Sequence, residues 1–219
     1  MTTAAFIPAR GGSKGIPRKN LAAIGGESLV ARAIGVARAA PGIDIVVVSS
    51  EDDEILDEAR RCGATTDVRP ARLATDDAPT AAVLAEFLER SGPYERVVLL
   101  QPTSPLRAVE DIVRCLDALE VAPAAATVMR SRHPVEWTLR VGADDRGQAV
   151  FGWEALQTRR QDLGETVQLN GAVYAASTAH LLGGGRFVGP ETVLVEMPME
   201  RSIDIDTETD LALARFLAE

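Results

Sequence analysis

The sequence predicts an α/β fold, a three-layer α/β/α sandwich built on a mostly parallel, Rossmann-like sheet. Continuous apolar runs at 43–49 and 96–100 suit strands that are buried on both faces, as in parallel sheets. Segments with helical periodicity separate these runs, so strand and helix alternate along the chain. The length of 219 residues is that of one domain, and we expect residues 1–219 to form a single domain.

The first part of the chain supplies these elements in a regular order. An apolar strand comes first and ends at a glycine-rich turn. Ser28 is a suitable cap for the first helix, and Pro41-Gly42 ends it. The predicted strands and helices are, in chain order, 4–8, 28–40, 43–49, 52–62, 80–90, 96–100, 109–120 and 124–129.

The pattern changes after residue 129. Two short extended segments flank the turn-prone Asp144-Asp145-Arg146-Gly147 and predict a β-hairpin. We place this hairpin in a small excursion from the sheet at about 130–165, and expect Trp137 and Trp153 to pack within it. The remaining predicted elements are the hairpin strands 137–141 and 148–151, sheet strands 170–176 and 193–197, and a final helix at 207–217.

Composition excludes several classes of function. The net charge of −9 argues against a nucleic-acid partner, because a phosphate backbone requires a basic face. No run approaches the roughly 20 apolar residues that span a bilayer, so we expect no membrane association. The first ten residues lack a signal-peptide pattern, and we expect a cytoplasmic protein. Cys62 and Cys115 lie in predicted helices, which indicates neither a disulfide framework nor metal-ligand spacing.

The loop after the first strand predicts an anion-binding site. It reads Pro-Ala-Arg-Gly-Gly-Ser-Lys-Gly-Ile-Pro-Arg-Lys-Asn over residues 8–20. Its glycines allow backbone N–H groups to turn toward one anion, and Arg10, Lys14 and Lys19 add positive charge. Arg18 is expected to be solvated. The spacing matches neither a Walker A loop nor a dinucleotide-binding fingerprint.

The segment IPARGGSKGIPRKN resembles the opening signature of the acylneuraminate cytidylyltransferases, which make CMP-sialic acid and related CMP-nonulosonates. Further segments follow in that family's order and extend the resemblance over almost the whole chain. The related Kdo cytidylyltransferases have Arg where Lys14 stands, so the sequence resembles them less. The matching segments are Arg69-Pro70 with Leu73-Ala74-Thr75-Asp76, LLQPTSPLR at 99–107, His133-Pro134, Asn-Gly-Ala-Val-Tyr at 170–174, and Ser-Ile-Asp-Ile-Asp at 202–206.

The resemblance implies roles for the nucleotide-binding residues. Arg10, Ser13, Lys14 and Lys19 would bind the phosphates of CTP, and Asn20 would lie on the nucleoside side. Fixed cations suit this role because pyrophosphate gains negative charge as it leaves.

Further nucleotide contacts follow from the same resemblance. Arg69 would read the cytosine edge, where a guanidinium can donate to O2 and N3. A surface salt bridge is the alternative for Arg69. Asp76 and Thr80 would shape the same pocket, although Thr80 is also a candidate helix cap.

The loop at 101–107 is expected to face the substrates from the carboxyl edge of the sheet. Gln101 and Arg107 would contact sugar and phosphate, and Pro102 would stiffen the loop. Thr103 and Ser104 either contact substrate or only hold the turn together.

Asp204 and Asp206 alternate along an extended segment, so their carboxylates point to one side and suit Mg²⁺. The alternative is that they only favour the start of the last helix, where Thr207 and Asp210 form a candidate capping box. Mg²⁺ is the only cofactor implied.

The acceptor is expected to be an acidic sugar, whose carboxylate needs a cation. The family has two arginines before the NGA-x-Y motif. Arg160 matches the first, and Gln168 stands in place of the second. Asn170 and Tyr174 belong to the motif and are further candidate substrate contacts.

The predicted reaction couples CTP to an acidic 2-keto-3-deoxy sugar and releases pyrophosphate, with Arg10, Lys14, Lys19, Gln101 and Asp206 as the catalytic residues. The same chemistry on another acidic acceptor (a Kdo-like sugar or a phosphonate) and a non-catalytic nucleotide-binding module stay open. The family commonly forms homodimers through the smaller excursion, so residues 130–165 are expected to complete a neighbour's site.

Overall fold

The computed structural model describes residues 2–13, 15–74 and 79–218. Its strands are β1 (Thr3–Pro8), β2 (Ala23–Ile24), β3 (Glu27–Ser28), β4 (Ile45–Ser50), β5 (Thr65–Val68), β6 (Arg96–Leu100), β7 (Ala124–Arg130), β8 (Leu139–Val141), β9 (Gly147–Ala149), β10 (Val167–Ser177) and β11 (Thr192–Glu196). Its α-helices are α1 (Leu29–Ala39), α2 (Asp53–Arg61), α3 (Thr80–Ser91), α4 (Val109–Ala118), α5 (Thr178–Leu182) and α6 (Glu208–Leu217).

The core is a seven-stranded sheet with the order β11-β7-β10-β6-β1-β4-β5. β1 pairs in parallel with β4 and β6, β4 with β5, and β11 with β7. β10 runs antiparallel between β6 and β7. The fold class predicted from the sequence, a mostly parallel sheet of Rossmann-like character, is therefore confirmed.

Side chains alternate across β1 and hold a helical layer on each face of the sheet. Ala5 and Ile7 belong to one apolar cluster, which includes Ile34 of α1, Ile55 of α2 and Ile112 of α4. Phe6 points to the opposite face and packs with Phe87 of α3, with ring centroids 4.9 Å apart. The period-two pattern of each strand thus serves two cores.

The predicted boundaries of the helices match the structure to within about one turn. Ser28 caps α1, since its Oγ accepts from the Ala31 N–H at 3.1 Å. The short edge strand β5 was not predicted, because its sequence Thr-Thr-Asp-Val lacks an apolar run. Asp67 nevertheless points inward, where its carboxylate accepts from the Ser49 hydroxyl at 2.7 Å.

The excursion between β7 and β10 contains the predicted hairpin, with its paired strands reduced to β8 and β9. Asp145 in its turn has a φ of 59°, a left-handed conformation that Asp tolerates. The expected packing is wrong for Trp153, which is 62% exposed, whereas Trp137 is 38% exposed and donates from Nε1 to the carbonyl oxygen of Thr158 in the excursion at 3.2 Å.

Both cysteines are free, with Cys115 buried in α4 and Cys62 at the end of α2. Burial raises the pKa of the Cys115 thiol to about 12, which makes it unreactive at neutral pH. Within the described residues, no helix combines the length and apolar character needed to cross a bilayer.

Candidate active site

Loops that follow the parallel strands gather at the carboxyl edge of the sheet and enclose a cleft of about 410 Å³. The start of β10 lies at the same edge, because this strand runs antiparallel to its neighbours. Most of the residues predicted to bind nucleotide or metal line this nucleotide cleft. They are Arg10, Ser13, Lys19, Asn20, Arg69, Thr80, Gln101, Pro102, Thr103, Asp204 and Asp206.

The glycine-rich loop is fastened at its base by Asn20. This buried side chain donates from Nδ2 to the carbonyl oxygen of Arg10 at 2.8 Å, so part of its role is to shape the loop. The N–H of Gly11 donates to the carboxylate of Glu51 at 2.8 Å. Lys14 and Asp76, both predicted to face the nucleotide, lie outside the described residues.

The prediction that Arg18 is solvated is wrong. It is not simply solvated, because its guanidinium lies 2.8 Å from the carboxylate of Asp52 and 2.6 Å from that of Glu54. Arg18 therefore joins the loop to the start of α2 and points away from the nucleotide cleft.

Lys19 and Gly15 connect the first loop to the segment before α6. The Lys19 ammonium donates to the carbonyl oxygen of Ile205 at 2.6 Å and to the carboxylate of Asp206 at 3.1 Å. A Cβ at Gly15 would lie 2.5 Å from the carbonyl oxygen of Asp206, which leaves no room for a side chain there. The two segments pack together backbone to backbone at this point.

Asp204 and Asp206 flank a buried residue. Ile205 is fully buried with Ile16, Leu29 and other apolar residues. Its N–H donates to the carbonyl oxygen of Thr103 at 2.8 Å. Because side chains alternate along this segment, burial of Ile205 leaves both aspartates exposed in the cleft. The predicted alternation is thus present, although the segment forms no strand.

Burial of the Asp204 carboxyl in the cleft raises its pKa, mainly through desolvation, and the nearby charge of Asp206 raises it further. A hydrogen bond from Thr103 opposes this shift. Within the described part of the chain, no three His, Cys, Asp or Glu residues cluster as a complete metal site. Two carboxylates beside cations fit a Mg²⁺ ion whose remaining ligands are phosphate oxygens and water.

Arg69 lies in the wall of the cleft with 7% of its surface exposed. Its Nη2 donates to the carbonyl oxygen of Ser49 at 2.7 Å, which fixes the direction of the guanidinium. Burial lowers its pKa, and the charges of Glu51 and Asp67 oppose that effect. The alternative of a surface salt bridge is wrong, because Arg69 is buried and donates hydrogen bonds to Ser49. Thr80 also lines the cleft and is the first residue of α3, after Pro79 at the cap position.

The loop after β6 presents only its first half to the cleft. Arg107 lies beneath it, donating from Nε and Nη2 to the carbonyl oxygen of Ser104 and from Nη2 to that of Gln101. Burial lowers the pKa of Arg107 to about 9, so it is still a cation at neutral pH. Contrary to expectation, Arg107 and the buried Ser104 line neither the nucleotide cleft nor the second cavity beside it. They lie under the loop and support Gln101 and Thr103.

A second cavity, of about 650 Å³, opens beside the cleft and shares Gln101 and Asp204 with it. We call it the acceptor cavity. Tyr174 lines it, and burial raises the pKa of its phenol. Asn170 also borders it, but this buried amide accepts from the Thr127 hydroxyl at 2.7 Å and donates to Ser202 Oγ at 3.0 Å. Asn170 therefore mainly ties β10 to its surroundings.

Arg160 lines a third cavity, of about 1060 Å³, which shares Arg132 and Met199 with the acceptor cavity. Contrary to expectation, Arg160 borders neither the cleft nor the acceptor cavity. Gln168 is exposed on β10 and lines none of the three. The sequence analysis did not predict Arg132, although it directly precedes the matching segment His133-Pro134.

Comparison with known proteins identifies the family. The family model described as cytidylyltransferase matches residues 4–202. The chain belongs to the cytidylyltransferase family. The resemblance drawn from the motifs is thus confirmed.

Relatives of this chain include enzymes named for acidic sugars. The chain is 32% identical over 213 residues to the N-acylneuraminate cytidylyltransferase of Escherichia coli O18:K1:H7, covering 96% of this chain but only half of that relative. It is 32% identical over 231 residues to the CMP-N,N′-diacetyllegionaminic acid synthase of Legionella pneumophila, covering 100% of this chain and 97% of the relative.

Solved structures share the fold of this chain. A CMP:2-keto-3-deoxy-manno-octonic acid synthetase complexed with CTP superimposes with a TM-score of 0.75 at 17% identity, over 99% of this chain and 98% of the other. The 4-diphosphocytidyl-2C-methyl-D-erythritol synthase of Anaerococcus prevotii gives a TM-score of 0.68 at 16% identity, over 98% and 97%. At these identities the likeness supports the fold alone.

Proposed function

We propose that the chain transfers a cytidylyl group from CTP to an acidic 2-keto-3-deoxy sugar of the nonulosonate class and releases pyrophosphate. One observation carries the proposal. Arg10, Lys19 and the Asp204–Asp206 pair converge in one cleft, which opens into a cavity large enough for a sugar. Two relatives, an N-acylneuraminate cytidylyltransferase and a CMP-N,N′-diacetyllegionaminic acid synthase, support the substrate class.

The reaction is an in-line displacement at the α-phosphate of CTP. The anomeric oxygen of the sugar bonds to the α-phosphorus as the bond to the bridging oxygen of pyrophosphate breaks. The hydroxyl proton passes to a base in the cleft or to solvent. Arg10 and Lys19 hold the phosphates and stabilise the charge of the leaving group. Gln101 and Asp204 stand where the two cavities meet, and so between the two substrates.

Asp204 and Asp206 would hold Mg²⁺ together with phosphate oxygens. Bound there, the ion would neutralise phosphate charge as the pyrophosphate leaves. Lys19 keeps the Asp206 carboxylate at the edge of the cleft, 3.1 Å from its own ammonium. Arg69 would donate to the cytosine edge from a guanidinium already fixed by Ser49.

We further propose a homodimer that forms through the excursion. Large apolar side chains are exposed there, including Val141, Phe151 and Trp153 at 77%, 56% and 62%. A patch of this kind marks an interaction surface. Sedimentation velocity tests the homodimer: the wild type should sediment as a dimer and Trp153→Ser as a monomer. A monomeric wild type would contradict it. The cytoplasmic location stays a prediction.

Pyrophosphate release tests the proposed reaction. CTP, UTP and ATP are each combined with N-acetylneuraminic acid, N,N′-diacetyllegionaminic acid, pseudaminic acid, a Kdo-like acid, a phosphonate and a neutral hexose, with Mg²⁺ present. We expect pyrophosphate release with CTP and a nonulosonic acid. Release with only the Kdo-like acid or the phosphonate would support the alternative acceptor. CTP binding without release from any mixture would indicate a nucleotide-binding module.

A further inference from the structure

Arg132 is, within the described residues, the only Lys, Arg or His that lines the acceptor cavity. The other charged groups there are the carboxylates of Glu200, Asp204 and Asp210. An anionic acceptor that entered this cavity would be repelled by these carboxylates unless a cation met its own charge. The lining therefore provides one position for a carboxylate, beside Arg132.

Two neighbouring arginines, Arg130 and Arg159, are already paired with carboxylates, whereas Arg132 and Arg160 form no ion pair within the described residues. Arg130 lies 2.7 Å from Glu165 and 2.8 Å from Glu196, and Arg159 lies 3.0 Å from Asp162. In the part of the chain that the structure describes, no carboxylate comes within ion-pair distance of the Arg132 guanidinium. An unpaired guanidinium retains the paired N–H donors that a carboxylate accepts in bidentate fashion.

Arg160 contacts the backbone of Arg132. Its Nη2 donates to the carbonyl oxygen of Arg132 at 3.2 Å, and its side chain lines the third cavity, which Arg132 also borders. This contact fastens the backbone of the loop that carries Arg132. Arg160 is therefore placed to position Arg132 and does not itself line the acceptor cavity.

The chemistry of the acceptor locates the cation it needs. A 2-ulosonic acid carries its carboxylate on the anomeric carbon, the atom whose hydroxyl attacks the nucleotide. The carboxylate must then lie in the cavity that opens onto Asp204 and Gln101. Arg132 meets this requirement and Arg160 does not.

Resting on the function proposed above, we propose that Arg132 binds the carboxylate of the acid acceptor, with Arg160 as a positioning residue. Arg132 thereby determines the preference for an acid over a neutral sugar. A charged hydrogen-bonded contact of this kind changes affinity about 10- to 100-fold.

The test compares the wild type with Arg132→Gln, Arg132→Lys and Arg160→Gln. Arg61→Gln serves as a matched control, because Arg61 is an exposed arginine at the end of α2 that pairs with Glu58. For each protein, KM and kcat are measured for CTP, for the nonulosonic acid that the wild type turns over best, and for its methyl ester. CTP affinity by calorimetry and Tm report on folding.

Arg132→Gln should raise the KM for the acid about 10- to 100-fold and leave the KM for CTP within about twofold. It should also abolish the preference for the acid over its ester, and Arg132→Lys should restore part of it. Arg160→Gln should reduce this preference less. An unchanged acid-to-ester ratio in a folded Arg132→Gln would overturn the proposal, as would loss of that preference in Arg160→Gln alone. A wild type that turns over no acid would instead refute the proposed function.

Discussion

The ammonium of Lys19 lies 3.1 Å from the carboxylate of Asp206, although 187 positions separate the two residues. The same ammonium donates to the carbonyl oxygen of Ile205. One cation thus links the glycine-rich loop to the segment that carries both aspartates. This link brings the proposed phosphate-binding and metal-binding groups into a single cleft.

Replacing Lys19 by Met should lower kcat/KM about 100-fold, because both a phosphate-binding cation and the anchor of Asp206 are lost. Pyrophosphate release with CTP and the acid gives the rate. Arg18→Gln is the matched control, since this neighbouring cation pairs with Asp52 and Glu54 outside the cleft. Equal losses in both variants would show that general loop charge, and not the position of Lys19, matters.

Asp206→Asn should fold normally and lower turnover by about 10² or more, the scale for loss of one preorganised transition-state contact. The amide removes a charge that Mg²⁺ requires, so the concentration of Mg²⁺ for half-maximal rate should also rise. A magnesium titration of pyrophosphate release checks this. Near-normal turnover at saturating Mg²⁺ would contradict the metal assignment.

Gly15→Ala should destabilise the protein by about 1–3 kcal/mol, because its Cβ would lie 2.5 Å from the carbonyl oxygen of Asp206 and force two backbones apart. Gly12→Ala is the control, since a Cβ there meets nothing within 4 Å. Urea unfolding measures both. A Gly15→Ala variant as stable as Gly12→Ala would show that the contact with Asp206 does not exist in solution.

Thr207→Ala should cost about 1 kcal/mol, because it removes the capping box of α6. Thr209→Ala, an exposed change in the same helix, should have little effect. The hydroxyl and N–H of Thr207 hold the pKa of Asp210 below its ordinary value of 3.8.

A carboxyl group whose pKa is lowered by folding stabilises the protein at pH values above its unfolded-state pKa. This stabilisation is lost as the pH falls through the lowered pKa. The difference in the free energy of unfolding between wild type and Thr207→Ala should therefore be largest at neutral pH and shrink as the pH falls below 3.8. Urea unfolding between neutral and acid pH measures this. A difference that is independent of pH would contradict the Asp210 contribution.

The sequence predicted the elements whose patterns are local. The apolar runs of β4 and β6 and the cap of α1 depend on neighbouring residues alone, and these predictions are confirmed. The polar edge strand β5 escaped prediction because its stability comes from pairing with β4 and from the Ser49–Asp67 hydrogen bond.

The site divides in the same way. Motifs identified most residues that line the nucleotide cleft, since the loops that carry them follow buried strands. They could not show that Arg107 turns beneath its own loop or that Arg160 contacts the backbone of Arg132. Arg107 folds back onto carbonyl oxygens of its own loop, and Arg160 reaches a residue 28 positions away. Neither contact follows from a local pattern of residue types.

The most direct test of cytidylyl transfer follows the α-phosphate. The protein is incubated with CTP radiolabelled at the α-phosphorus, Mg²⁺ and a nonulosonic acid, and the products are separated by chromatography and quantified by their radioactivity, with pyrophosphate measured in parallel. We expect the label to appear in a CMP-linked acid, in equal amount to unlabelled pyrophosphate. Label retained in CDP, with phosphate on the sugar, would show phosphoryl transfer and contradict cytidylyl transfer.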